Sequence, residues 1–239
     1  MKTPIALLLC ALPAVATAQA PRQVTLPEGC TAELTVQTAN CNVSHHFTCE
    51  ADPEGWRRRV DLDRDGVSYF GAIDAETQWV ESVYPRADRR EALGPDPVDP
   101  ASFTELSETG ADSFDFTTLS DQVGETRYVG FDSLTGETVV IDGVELERTD
   151  YEVRAIGPDG ETLWLSRGTE FIDRARRIFL SGTSEVTGSE GSFTSDDTPV
   201  EFILPGEPGF LSSNPKHGCG ATMSSAPAPI AKEIFHDHL

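Results

Sequence analysis

Short runs of β-branched and aromatic residues, separated by turn residues, dominate the chain from Thr31 onward. Val, Thr, Tyr, Phe and Trp fill the runs, and Gly, Asp, Asn and Pro fill the gaps, which is the pattern of strands joined by short turns. It predicts strands at 32–38, 43–50, 56–62, 67–74, 78–84, 113–119, 126–133, 137–141, 144–156, 161–172, 176–187 and 192–204. We therefore predict an all-β fold, an antiparallel meander that forms a barrel-like or strongly curved sheet.

One short helix interrupts this pattern. A Pro-rich connector at 94–100 reads GPDPVDP and is stiff because of its three prolines. Pro100 opens the helix that follows, Phe103 and Leu106 give it an apolar side, and Gly110 ends it.

The turn Gly157-Pro158-Asp159-Gly160 predicts a three-residue hairpin loop with a bulge, which pairs Gly157 with Glu161. Continued along the two strands, this register puts Tyr151 opposite Arg167 on the apolar face. The hairpin therefore predicts an arginine among apolar neighbours.

Arg58 is a second arginine of this kind, since it shares the parity of Trp56, Val60 and Leu62. An arginine that points into an apolar interior needs an anion, either a carboxylate of the protein or one of a ligand. The alternative is that both arginines lie near strand ends and reach water. Arg58, Arg167 and Tyr151 are the candidate ligand-binding residues.

The first residues, MKTPIALLLCALPAVATAQA, predict a signal peptide at 1–18. Lys2 is a minimal basic start, a short apolar core follows, and Ala-Thr-Ala suits cleavage after Ala18. The apolar stretch is too short for a permanent membrane span, and no later segment is long and apolar enough, so we expect no stable membrane insertion. The sequence then predicts one mainly β domain at 19–219 and a flexible tail at 220–239, in an exported protein of the periplasm or the medium.

Four cysteines remain after this cleavage: Cys30, Cys41, Cys49 and Cys219. An even number in an oxidising compartment predicts two disulfides. Three pairings are open, and if all four cysteines pair, Cys219 must bond back to the N-terminal region. A zinc site is the alternative, but no C-x-x-C spacing favours it.

The formal charge of −22 at pH 7 excludes whole classes of partner. Nucleic-acid affinity comes largely from Lys and Arg on phosphates, and anionic membranes attract basic segments. We expect neither partner. An acidic, solvated surface that keeps an exported protein soluble is the simpler interpretation.

The segment DLDRDG at 61–66 begins like a calcium-binding loop, with Asp61, Asp63 and Asp65 as candidate metal ligands. The twelfth position, however, falls on Ala72 instead of a glutamate, and the flanks predict strands. A hairpin turn between strands 56–62 and 67–74 fits better. Weak calcium binding at this turn stays the alternative, and no other cofactor is predicted.

No catalytic motif stands out. The sequence has no G-x-S-x-G, no Walker-A loop and no G-x-G-x-x-G after a strand, so it predicts no catalytic residue. The order TCEADPEGW, IDAETQWVES, SGTSEV, PVEFILPGEPGF and a late cysteine resembles an uncharacterised group of exported bacterial proteins. That resemblance implies an intact exported domain, and it supplies no activity, cofactor or catalytic residue.

These patterns favour a non-enzymatic exported protein, either a binder of a small or amphiphilic ligand or a structural module of the cell envelope. The protein partner of such a module is not predicted. The alternatives are an exported hydrolase with a site assembled from scattered residues, and a calcium-stabilised adhesion-type domain.

Overall fold

The structure is a computed structural model that describes residues 23–220. The predicted signal peptide at 1–18 and the predicted tail beyond Gly220 lie outside the described residues. The strands are β1 (Cys30–Thr38), β2 (Val43–Cys49), β3 (Arg57–Asp63), β4 (Gly66–Ile73), β5 (Trp79–Tyr84), β6 (Arg89–Leu93), β7 (Ala111–Ser120), β8 (Gly124–Ile141), β9 (Val144–Ile156), β10 (Thr162–Asp173), β11 (Ile178–Gly188), β12 (Gly191–Asp196) and β13 (Pro199–Ile203). The one α-helix among these residues, α1, spans Phe103–Thr109.

All thirteen strands belong to one antiparallel sheet, which confirms the all-β prediction. Each strand from β1 to β11 pairs with the next one along the chain, in most cases through a short turn that favours a hairpin. The last strand, β13, pairs instead with β1 at the opposite edge. Only Asp197 and Thr198 separate β12 from β13, so the two sheet edges come close at this corner.

The corner is held by backbone hydrogen bonds and not by a strand ladder. Asp197 donates its N–H to the Gly182 carbonyl at 2.8 Å, and Ala39 donates to the Thr198 carbonyl at 3.0 Å. Within residues 23–220 no ladder joins β12 to β13. The sheet is therefore rolled up but is not a closed barrel, and the expectation of a barrel is corrected to this open form.

Apolar side chains fill the rolled sheet in two main groups. Leu34 and Val36 of β1 and Phe202 of β13 pack against Leu146, Phe171 and Leu180, so the first and last strands lie against the middle ones. The second group, the aromatic cluster, contains Phe114, Phe116, Tyr128, Tyr151 and Trp164, with Trp79 packed against it. Together these groups surround the interior in which the candidate site lies.

The helix α1 ends at Gly110 as predicted, but it begins at Phe103, with Ser102 and not Pro100 at its start. The Ser102 hydroxyl accepts a hydrogen bond from the Glu105 N–H at 3.1 Å, and Gly110 closes the helix with φ of 91°. Phe103 and Leu106 pack on Ile172. Of the described segments, no helix is long and apolar enough to cross a membrane.

The four cysteines form two disulfides, Cys30–Cys49 and Cys41–Cys219. The first joins residues that lie directly opposite each other in β1 and β2. The second joins residues 178 positions apart, as the expected return of Cys219 to the N-terminal region required. Two disulfides fit a protein of an oxidising, extracellular-type compartment.

The predicted strands differ from the structure in three places. The runs 126–133 and 137–141 are one strand, β8, because an irregular register between Leu134 and Thr138 lets the ladder continue. The run 192–204 is two strands, β12 and β13. Strand β6 was not predicted, because its sequence RREAL has no β-branched or aromatic residue.

Candidate ligand-binding cavity

A cavity of about 120 Å³ lies inside the rolled sheet, partly open to solvent. Strands β2–β5 supply one side, and β7–β11 supply the other. A cavity of about 150 Å³ is known to hold one benzene molecule, so this one suits a group of about that size. Its aromatic lining consists of Tyr69, Trp79, Tyr84, Phe114, Phe116, Tyr151 and Phe179.

The aromatic side of the cavity is rigidly packed. The Trp79 ring lies edge-on to Phe116 at 5.5 Å and to Tyr128 at 5.3 Å, measured between ring centroids. Phe116 and Tyr128 stack at 5.4 Å. Such contacts fix ring positions, so the apolar surface is formed before any ligand enters.

The basic side of the cavity comes from β3, where Arg57 and Arg59 share one face of the strand. Arg59 Nε lies 3.1 Å from Asp61 Oδ2, and its guanidinium carbon lies 5.0 Å from the centre of the Tyr69 ring. Arg57 Nη1 lies 2.5 Å from Glu33 Oε2. Both arginines therefore have a carboxylate of the protein beside them.

His46 of β2 lies opposite Arg59 in the ladder and also lines the cavity. His46 is 7% exposed, and its Nε2 atom has no hydrogen-bond partner among the described residues. Burial, and then the charge of Arg59, lowers the pKa of His46 to about 3. The imidazole is therefore neutral at physiological pH.

The acidic side consists of Asp132 on β8 and Glu170 on β10, which are both half-buried at the cavity wall. Burial, and then the neighbouring Asp112 carboxyl, raises the pKa of Asp132 to about 7. Burial, and then Asp132, raises the pKa of Glu170 to about 8, while Arg59 acts against this rise. The two groups titrate together in the neutral range.

Of the predicted ligand-binding residues, Arg58 lies on the face of β3 that also carries Val60 and Leu62. Those two residues pack in a separate apolar cluster with the chain at Val24 and Leu26. The guanidinium binds both carboxylate oxygens of Asp52, at 2.7 and 2.8 Å, and one of Glu81 at 3.1 Å. The anion that Arg58 was expected to need is thus supplied by the protein.

The predicted register places Arg167 wrongly. Gly157 does pair with Glu161 at the turn, with an N–H to carbonyl distance of 2.9 Å. An irregularity between Thr162 and Trp164 then shifts the ladder by one residue, which puts Gly168 opposite Tyr151. Arg167 turns to the outer face, where its side chain is 60% exposed and pairs with Glu185 at 2.9 Å.

Tyr151 is the one predicted ligand-binding residue whose side chain is buried at the cavity. It is 5% exposed, and its hydroxyl lies 2.9 Å from Ser166 Oγ. Arg58 and Tyr151 both line the cavity, whereas Arg167 does not.

The segment DLDRDG forms the predicted hairpin turn between β3 and β4. Its aspartates diverge: Asp61 is buried beside Arg59, while Asp63 binds Arg86 through both oxygens, at 2.5 and 2.7 Å. The Asp65 N–H donates to Asp63 Oδ1 at 2.7 Å, as in a tight polar turn. Within residues 23–220 no group of three or more His, Cys, Asp or Glu side chains is placed to hold a metal ion.

The sequence contains a signal for the acidic side that strand parity could have detected. Asp132 shares the parity of Tyr128 and Leu134 in β8, and Glu170 shares that of Trp164 and Ile172 in β10. A carboxylate on the apolar face of a strand is unusual. These two strands face β2 and β3 across the interior of the sheet. Such long-range contacts cannot be predicted from the alternation of residues within one strand.

A comparison of the chain with protein-family models, curated proteins and solved structures finds no match. The function is therefore argued from the chemistry of the cavity.

Proposed function

We propose that the protein is a non-enzymatic binder of a small ligand with an apolar body and one polar end. The observation that carries this proposal is the cavity itself, which combines a packed aromatic wall with a few converging polar groups. This combination is typical of small-molecule sites. The paired cysteines favour export, and we propose the periplasm or the extracellular medium as its location.

The size of the cavity limits the ligand. About 120 Å³ suits a single ring or a short aliphatic group, and it is below the usual range of about 300–1,000 Å³ for drug-sized ligands. A full lipid chain does not fit inside, so an amphiphile would enter by one end only. This favours a small metabolite over a lipid cargo.

The test is binding of ring-sized compounds by isothermal calorimetry and thermal shift, with a variant that fills the cavity. Ala101 lines the cavity and packs on the aromatic cluster, so Ala101→Leu should weaken binding by about tenfold or more through lost space. Ala87→Leu makes the same change at an exposed position and should leave binding unaltered. Equal affinity in both variants would overturn the proposed site.

One observation favours the alternative of an exported hydrolase. Two carboxyl groups with pKa values raised into the neutral range, inside a cleft, are a common feature of acid–base catalysis. A panel of esterase, glycosidase and peptidase substrates tests it. Turnover that Glu170→Gln abolishes, with the fold intact, would establish the hydrolase and replace the binding protein.

A further inference from the structure

The charged groups around the cavity differ in how completely the protein neutralises them. Arg57 and Arg59 each lie beside a carboxylate, and Arg58, which also lines the cavity, binds two. In contrast, no hydrogen bond or salt bridge within residues 23–220 reaches the side chain of Asp132 or Glu170. The cavity thus has unpaired acids and no arginine without a carboxylate.

The arrangement of the strands concentrates the acidic groups at one wall. Asp132 lies directly opposite Asp112 on β7 and opposite Tyr151 on β9. Glu170 follows on β10, two residues beyond Gly168, which pairs with Tyr151. Like charges on neighbouring strands repel each other. Full ionisation of these carboxyl groups in the free protein therefore costs free energy.

A second, independent observation points to a ligand at the same place. His46 Nε2 is buried, lines the cavity and has no partner in the described part of the chain. A buried polar atom without a partner is rare and costly. Because the imidazole is neutral, it can accept a hydrogen bond from a ligand N–H.

We propose that the cavity takes a small organic cation, with its ammonium group at Asp132 and Glu170 and its apolar body against the aromatic wall. This inference rests on the proposed function, since it names the ligand class for the same cavity. Aromatic faces attract cations, and carboxylates accept charge-assisted hydrogen bonds from them. An anionic ligand would instead have to displace the carboxylates that already lie beside the arginines.

Proton uptake and release follow from this arrangement. The groups that act on the two carboxyls are Asp112 on β7, Tyr151 on β9 and Arg59 on β3, and His46 on β2 lines the same cavity. Burial and mutual repulsion keep the acids partly protonated near neutral pH, and a bound cation favours their ionised forms. Binding should therefore release protons and should strengthen as the pH rises.

The experiment compares three probes of similar size and shape: benzylamine, which is cationic, benzyl alcohol, which is neutral, and benzoate, which is anionic. Calorimetry at about pH 8, in two buffers with different ionisation enthalpies, gives affinity and proton release together. We expect benzylammonium to bind about tenfold tighter than benzyl alcohol, with benzoate weakest. Its affinity should fall about tenfold at about pH 6, where both acids are protonated.

The matched variants separate charge from position. Asp132→Asn with Glu170→Gln should remove the preference for the cation and the proton release. Glu145→Gln with Asp150→Asn makes the same chemical change at exposed positions of β9 and should change neither. Each single variant is measured too, so the result does not depend on the double variant being folded.

The outcomes distinguish this inference from the proposed function. Tighter binding of benzoate or benzyl alcohol, or a cation preference that survives in the double variant, would overturn the cation inference. The cavity would then remain a binding site as long as Ala101→Leu still weakens the preferred probe. Failure of all three probes to bind at millimolar concentration would overturn both.

Discussion

Glu91 and Glu170 are both glutamates that point into the rolled sheet, yet their surroundings are opposite. Glu91 on β6 is 3% exposed and accepts hydrogen bonds from Thr118 at 2.8 Å and Tyr128 at 3.0 Å, with Arg89 Nε 3.3 Å away. Glu170 on β10 has no such donor among the described residues. Donors of the protein surround Glu91, whereas the half-buried carboxyl of Glu170 has none and is open to the ligand that we propose.

The largest effect on stability should come from removing Glu91, the carboxylate that has hydrogen-bond donors around it. Glu91→Ala leaves Thr118 and Tyr128 without their buried acceptor and removes the ion pair with Arg89, and it should lower the free energy of unfolding by about 3 kcal/mol or more. Urea denaturation measures it. Glu125→Ala, at an exposed position of β8, is the control and should change little. A small loss of unfolding free energy for Glu91→Ala would mean that water replaces the carboxylate as acceptor for these donors.

Removing the charges of Asp132 and Glu170, which have no such donors, should instead stabilise the protein at high pH. The pKa values of Asp132 and Glu170 lie above their ordinary values of 3.8 and 4.5. Between about pH 4 and pH 8 the folded chain therefore binds more protons than the unfolded chain, and the unfolding free energy falls as the pH rises through this window.

Asp132→Asn with Glu170→Gln removes this loss. We expect the double variant to gain about 2 kcal/mol or more over the wild type at about pH 8, relative to their difference at about pH 5. Urea denaturation at the two pH values, without ligand, measures it. A difference that does not depend on pH would show that the two acids ionise normally in the folded chain.

Two of the buried tyrosines, Tyr128 and Tyr151, extend the comparison to smaller effects. Tyr128 donates to the Glu91 carboxylate, whereas Tyr151 lies beside the neutral hydroxyl of Ser166. Bonds to charged groups contribute more, so Tyr128→Phe should cost about 2 kcal/mol and Tyr151→Phe about 1 kcal/mol. Thermal unfolding of the two variants side by side would contradict this order if Tyr151→Phe were the more harmful.

The smallest effect is expected at the polar turn outside the cavity. Asp63→Ala removes a half-exposed ion pair with Arg86 and should cost about 0.5 kcal/mol. If the turn binds calcium, millimolar calcium raises the melting temperature of the wild type and not of Asp63→Ala. Equal melting temperatures of the wild type with calcium and with chelator would contradict calcium binding at this turn, and the ion pair with Arg86 would be the role of Asp63.

The alternation of residues predicts much of this fold, because strand faces and turns are local properties. The strand at 144–156 and the turn at 157–160 are predicted correctly, since Gly and Pro fix the turn. The register beyond that turn was wrong because a bulge at Leu163 moved every later residue to the other face. A bulge of one residue has no sequence signal of its own here.

The candidate site could be predicted only in part. The parity argument identified the face of Arg58 correctly, but it did not say that the chain at Val24 and Leu26 packs on that face. Arg59, on the opposite face of the same strand, lines the cavity as Arg58 does, and parity did not identify it. Which face lies inside depends on how thirteen strands roll up together, and no short segment contains that information.

The most direct test of the unpaired acids is carbon NMR of the side-chain carboxyl groups, titrated with and without benzylamine. The account predicts that Glu170 titrates near pH 8 in the free protein and at a clearly lower pH with the amine bound. A Glu170 carboxyl that titrates at its ordinary pKa of 4.5, unmoved by the amine, would contradict it.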